Sequence, residues 1–520
     1  MSLILRCIAL PVVFDSSLLI NRQHIKANDR AARLPRSLKA SLLLLLLCGV
    51  AQSQSITARI SVLSLAPGRI KIEGQRAEKT TVWSFREQYG SINGLSERIE
   101  NLSLSDESGT RIPVRKIAPG EYSSAAPAAR FVYEVKLEPP AQTSDAAYVS
   151  WLTNERGLLL LGDLLPRPLQ DKETKNSGAQ VQFILPATWS INANETKQAD
   201  GQYNVSNPER AVFVAGADLR VKSERLGQTE FSYVTAGPWA FTDEEVASMA
   251  ANILKDHAAV MGGPARARAM LVLLPFPRAV GADRWSAETR GGTVVLLSGQ
   301  SPSKVAALAQ LSVPLTHELF HLWTPNGLAL EGEYDWFYEG FTLYQALRCG
   351  MRLQLLTFQD YLNALGRAFD AYRNIDGRDQ LSLVEASRQR WKSPTGLVYH
   401  KGLLVAFLYD LTLRQQTKNS RSLDDVYREL FRQHHSAATP ADGNSVVINA
   451  LKNQSGMHEF VERYIEQASA IDLRSLITPF GLEVFSGGVR THLVVSTSLG
   501  HAQRDLLRKF GYNEEAQRRR

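Results

Sequence analysis

Cysteine is scarce. Cys7, Cys48 and Cys349 are the only three in 520 residues, which excludes a disulfide-stapled scaffold and leaves no stable disulfide partner to expect. Long apolar runs are missing as well. The run at residues 40–50 falls short of the roughly 20 residues that a membrane helix needs. The apolar stretch at residues 397–413 is broken by Lys401 and Asp410, so it reads as a buried core helix. No internal repeat is present, which removes solenoid folds. A basic face is missing too, although the net charge is +7. Most of that excess sits in residues 1–51, where Arg6, Arg22, Lys26, Arg30, Arg33, Arg36 and Lys39 outnumber Asp15 and Asp29. The remainder is nearly balanced, so no nucleic-acid partner is expected.

What is present is a globular composition with ample chain for large cores. Basic residues 33–39, then the apolar run, then Gly49-Val50-Ala51 follow the order of a cleaved secretory leader. The expected location is therefore secreted or periplasmic, with membrane contact only if the leader is retained. Five segments follow: 1–51 as leader, 52–225 as a β-sandwich, 226–354 as the catalytic domain, 355–485 as its helical C-terminal part and 486–520 as a tail.

Ile56, Ala58, Ile60 and Val62 alternate with polar residues, as do residues 69–73 and 131–137. Such short period-two strands between Pro, Gly, Asn and Asp clusters predict a sandwich. From residue 242 the period changes. Thr242 and Glu245 form a capping box, and Val246, Met249, Ala250 and Ile253 follow helical spacing. His257 lies near that face and reads as a packed histidine. Residues 270–276 and 291–297 read as strands. Residues 303–311 read as a short helix, with Pro314 kinking it or opening the next.

That next helix carries His317-Glu318-Leu319-Phe320-His321. Residues four apart share one helix face, so both imidazoles can hold one zinc ion while Glu318 serves as general base. A catalytic site needs a third protein ligand and an open position. On chemistry alone Glu331, Glu333 and Glu339 compete. Glu339 sits inside an amphipathic helix, where a rigid ligand belongs.

The blocks HELFHLW, WFYEGFTLY and Tyr399-His400-Lys401-Gly402 together resemble the glycyl aminopeptidase family of gluzincin metallopeptidases, relatives of the aminopeptidase N family. The resemblance implies an α+β chain with a β-sandwich, a thermolysin-like catalytic domain and a helical C-terminal region. It implies one zinc ion per chain, held by His317, His321 and Glu339. It implies Glu318 as the catalytic base and Tyr399 as the hydrogen-bond donor to the oxyanion. Many members add a peptide-binding PDZ domain, for which the 486–520 tail is too short. The substrate is a peptide, and the default activity is release of N-terminal Gly or Ala. The strand beginning Gly291-Gly292-Thr293 is expected to line the substrate cleft. Family members carry an acid in that strand to hold the substrate amine. Here Thr293 and Val294 follow the glycines, leaving Glu288 as the nearest acid. That departure keeps an endopeptidase open. A non-catalytic peptide-binding module is the other alternative, disfavoured by the intact motifs.

Overall fold

The computed structural model describes residues 54–167, 178–390, 396–435, 437–485 and 488–513. The expected leader lies outside the described residues, as do residues 514–520. Strands β1 (Gln54–Leu65), β2 (Gly68–Ser84) and β3 (Glu121–Lys136) form the centre of a nine-stranded sheet. Alternation orients them. Ile56, Ile60, Ile70, Ile72, Phe131 and Tyr133 point inward and are buried, each contributing about 1.5–3 kcal/mol of apolar burial. They meet a four-stranded sheet that includes β4 (Arg156–Leu160) and β5 (Val212–Gly216). The two sheets make the expected sandwich.

A third sheet lies against the second. Its order is β6 (Arg220–Leu226), β7 (Thr229–Thr235), β8 (Arg268–Pro275), β10 (Thr293–Ser298) and β9 (Trp285–Arg290). The three inner strands are parallel and both edges antiparallel. This explains residues 158–161, four leucines in a row. Leu159 and Leu161 fill the sandwich core, while Leu158 and Leu160 face Val234, Val272 and Leu297 of the third sheet. Asp163 interrupts the run because a buried carboxylate is needed there. It accepts from Ser150 N at 2.8 Å and lies 3.4 Å from Arg86 and 3.5 Å from Arg98.

Helices cover the far face of the third sheet. Helix α1 (Asp243–Met261) starts at the expected capping box: Glu245 N donates to Thr242 Oγ1 at 3.3 Å and Thr242 N to Glu245 Oε2 at 2.9 Å. His257 is packed, its Nε2 2.9 Å from Thr316 O. Helix α2 (Lys304–Phe320) is continuous across Pro314, so the proline does not open a separate helix. The roughly 3 kcal/mol cost of an internal proline is offset by burial of Leu311, Leu315 and Leu319. Helices α3 (Thr342–Arg352), α4 (Phe358–Arg373), α5 (Leu383–Arg388), α6 (Gly396–Gln416) and α7 (Leu423–His434) follow. The core helix α6 is buried nearly all round. Residues read as a tail are partly structured: His492–Val495 pairs with Leu482–Phe485, and His501–Lys509 buries Leu506 and Leu507 in the main core. No helix among the described residues is long and apolar enough to cross a membrane.

Candidate metal and catalytic site

The last turn of α2 brings His317 and His321 onto one face, with His321 at the helix C-cap. Their Nε2 atoms lie 3.1 Å apart. Glu339 comes from a π-helical turn, Trp336–Phe341, that leads into α3. The wider turn, a feature often found at functional sites, is buried along its whole length. Glu339 Oε2 lies 3.4 Å from His317 Nε2 and 3.6 Å from His321 Nε2. Glu331 and Glu333 are exposed, away from this group.

Two glycines set the approach. A Cβ on Gly340 would lie 2.6 Å from Gly402 Cα, and one on Gly402 would lie 2.9 Å from Gly340 Cα. The EGFT and YHKG blocks therefore meet backbone to backbone, which brings Glu339 beside Tyr399. Gly340→Ala is expected to push them apart and to cost about 1–3 kcal/mol of stability, measured by urea unfolding.

His321 Nδ1 donates to Thr324 O at 2.8 Å, which leaves the Nε2 lone pair for a metal. Burial alone would lower the pKa of His321. The hydrogen bond and charge of Glu339 reverse this and lift it to about 9. A proton is thus drawn to the place a cation would take. Burial also works against Glu339 ionising, yet Arg390 and the two histidines hold its pKa well below the usual carboxylate range. Two imidazole nitrogens and one ionised carboxylate oxygen, buried and convergent, fit the donor set of a catalytic zinc ion.

Arg390 had no sequence signature. It is 2% exposed. Its Nη2 donates to Glu339 Oε1 at 3.0 Å and to Tyr399 OH at 2.5 Å, and its Nη1 donates to Asp335. One guanidinium thus orients Glu339 and Tyr399 together. Burial raises the pKa of Tyr399 well above its ordinary value, against the pull of Arg390, so the phenol stays a donor. Arg390→Lys would keep the charge and lose the planar fork. A loss of about 10–100-fold in both zinc affinity and turnover is expected, read by chelator competition and kcat.

Glu318 points toward β9. Thr289 Oγ1 lies 2.8 Å from Glu318 Oε2. The expectation for Gly291, Gly292 and Thr293 needs correction. Thr293 opens an inner strand whose two sides are taken by Met270 and Arg290, so this strand has no edge to offer a peptide. Gly291 and Gly292 form the turn before it, with Gly291 at φ 56°. The edge strand is β9. It escaped the sequence reading because Ser286, Ala287, Glu288, Thr289 and Arg290 are all buried and show no alternation.

β9 is flanked from the sandwich by the Thr143–Ala147 turn and Tyr148. Ser286 Oγ donates to Ser144 O at 2.6 Å and Tyr148 OH to Ala287 O at 2.7 Å. Tyr148, also missed, lies within electrostatic reach of Glu288, Glu318, Tyr399 and Glu339. Glu288 accepts from Tyr89 OH at 2.5 Å. Burial pushes its pKa up to about 7 against Arg290 and the Tyr89 hydrogen bond, and Glu318 and Glu339 add to the rise.

A buried His-His-Glu donor set beside a second glutamate, Glu318, and a phenol, on a mixed α/β scaffold, defines a zinc metallopeptidase. Residues 311–405 match the family model described as M61 glycyl aminopeptidase. Among solved structures, the chain is similar to an aminopeptidase N family protein from Idiomarina loihiensis. The TM-score is 0.71 at 18% identity, covering 84% of this chain and 81% of that one. It is also similar to a mutant M1 zinc metallopeptidase from Deinococcus radiodurans bound to a Tyr-Ser-Ala substrate. There the TM-score is 0.50 at 14% identity, covering 81% and 95%. These likenesses speak for the fold. No curated protein matches the chain.

Proposed function

We propose that the chain is an aminopeptidase that removes single small residues, Gly or Ala, from peptides outside the cytoplasm, with one zinc ion per chain. The observation that carries this reading is the position of Glu288. It is a buried carboxylate on the one edge strand of the catalytic sheet that borders the site, within electrostatic reach of Glu318 and Glu339. A carboxylate there can hold a substrate's terminal ammonium. Tyr148 and the Thr143–Ala147 turn pack against the same strand from the sandwich side.

His317, His321 and Glu339 would hold the zinc ion, which supplies Lewis-acid polarisation of the scissile carbonyl when bound. Glu318, kept in place by Thr289, takes a proton from the attacking water and delivers it to the leaving amine. Tyr399, oriented by Arg390, donates to the oxyanion that develops on the substrate.

The test uses peptides with free and blocked N-termini, read by mass spectrometry. Loss of one residue only from free termini is expected. Internal cuts in blocked peptides would establish an endopeptidase instead. Glu288→Ala is expected to raise KM for free peptides about tenfold or more, as for a charge-assisted contact of roughly 1.5–3 kcal/mol. The sign of the pH effect follows from the raised pKa of Glu288. Below about 7 the carboxyl is largely neutral and holds an ammonium weakly. KM therefore falls as pH rises through 7, until the amine itself loses its proton near 8. A KM flat across this range would remove Glu288 from the role.

A further inference from the structure

Ser286, Glu288 and Arg290 of β9 all turn toward the sandwich. Ser286 Oγ donates to Ser144 O at 2.6 Å, Arg290 Nη2 donates to Tyr148 O at 2.8 Å, and Glu288 Oε1 accepts from Tyr89 OH at 2.5 Å. Tyr89 lies 199 positions earlier in the chain than the carboxylate it meets. It stands in a tight turn closed at both ends. Tyr89 N donates to Ile92 O at 2.9 Å, and Ile92 N donates to Tyr89 O at 3.0 Å. Between them Gly90 takes φ 64°, which a side chain would resist. The ring is held as well. The guanidiniums of Arg290 and Arg86 lie over it, 4.0 and 5.0 Å from its centroid. The hydroxyl therefore reaches Glu288 from a rigid mount.

That hydroxyl treats the two carboxylate oxygens differently. It bonds Oε1. Arg290 Nε approaches the same oxygen only to 3.9 Å, beyond hydrogen-bond reach. No described residue donates to Oε2. Glu288 is buried, and a buried carboxylate oxygen needs a donor or a cation. Without the Tyr89 bond, a carboxylate this near a guanidinium would close on it as an ion pair. Both oxygens would then be drawn away from any substrate. We propose that Tyr89 is a positioning residue of the amine pocket: its hydroxyl holds Glu288 off Arg290 and leaves Oε2 open to the substrate's terminal ammonium. This rests on the reading of Glu288 as the amine anchor. It makes the sandwich a working part of the pocket.

Tyr89→Phe keeps the ring over which both arginines lie and removes only the hydroxyl. The test compares the zinc-loaded full chain, Tyr89→Phe, Glu288→Ala and the double variant on an alanyl peptide with a free N-terminus. Tyr89→Phe is expected to raise KM about three- to tenfold, the scale of one hydrogen bond, with kcat nearly unchanged. In the double variant KM should match that of Glu288→Ala alone, because a group that acts through Glu288 then has nothing to position. A wild-type KM in Tyr89→Phe beside a raised KM in Glu288→Ala would overturn the inference and leave the amine anchor standing. Effects that multiply in the double variant, or a loss in kcat and not in KM, would overturn it too. A wild-type KM in Glu288→Ala would remove the anchor itself, and the role of Tyr89 with it.

Discussion

Glu318→Gln is expected to bind zinc at the wild-type stoichiometry and to hydrolyse peptides about 10²–10⁴-fold more slowly. The substitution is isosteric. Its amide oxygen can still accept from Thr289 Oγ1, which lies 2.8 Å from the carboxylate in the wild type. The proposed metal donors His317, His321 and Glu339 are untouched. What disappears is a group that can take a proton from water and give it to the leaving amine. Metal content by mass spectrometry and turnover of a free dipeptide, measured on one preparation, check both halves. Turnover at the wild-type rate would mean that the base lies elsewhere. Loss of zinc would mean that Glu318 acts as a ligand.

Tyr399→Phe is expected to lower kcat by about 10²–10³-fold, the usual cost of one oxyanion donor, with KM nearly unchanged. A donor used only in the transition state does not hold the ground-state substrate. Arg390 still has Glu339 and Asp335 as partners in this variant, so the third ligand keeps its orientation and zinc is retained. The phenol's pKa is raised well above its ordinary value by burial. The wild type should therefore show no loss of rate attributable to tyrosine ionisation on the alkaline side. A rise in KM that matched the fall in kcat/KM would instead make Tyr399 a substrate-binding group.

The His317–His321 pair was legible in the sequence because its information is local. Four-residue spacing on a helix places His317 and His321 together whatever the surrounding fold, and the Thr242 capping box is local in the same way. The period-two strands of the sandwich were legible because one of their faces is buried and the other is not. Glu339 needed the family resemblance, since Glu331 and Glu333 offer the same chemistry and only the tertiary fold separates them. Arg390 and Tyr148 were out of reach. Each acts through residues far along the chain, and their own neighbours, Ser387-Arg388-Gln389 and Ala146-Ala147, carry no periodic pattern that marks them. β9 failed for the opposite reason. Covered on both faces, it has no alternation to read, so the inner strand after it took its role. Pro314 does not open a second helix, because burial of the helix around it overrides the local propensity.

Strand β4 sets a limit on how this protein can be taken apart. Its leucines face two ways, so the sandwich is the inner wall of the catalytic half and not an appendage to it. A catalytic region expressed from residue 220 onward would show water the face of Val234, Val272, Leu274, Val295 and Leu297. An apolar surface of that kind drives self-association. The peptidase is in this sense indivisible. Grafting its active-site half onto another scaffold would have to bring the four-stranded sheet with it, and with that sheet Tyr148, which reaches the site from the sandwich side.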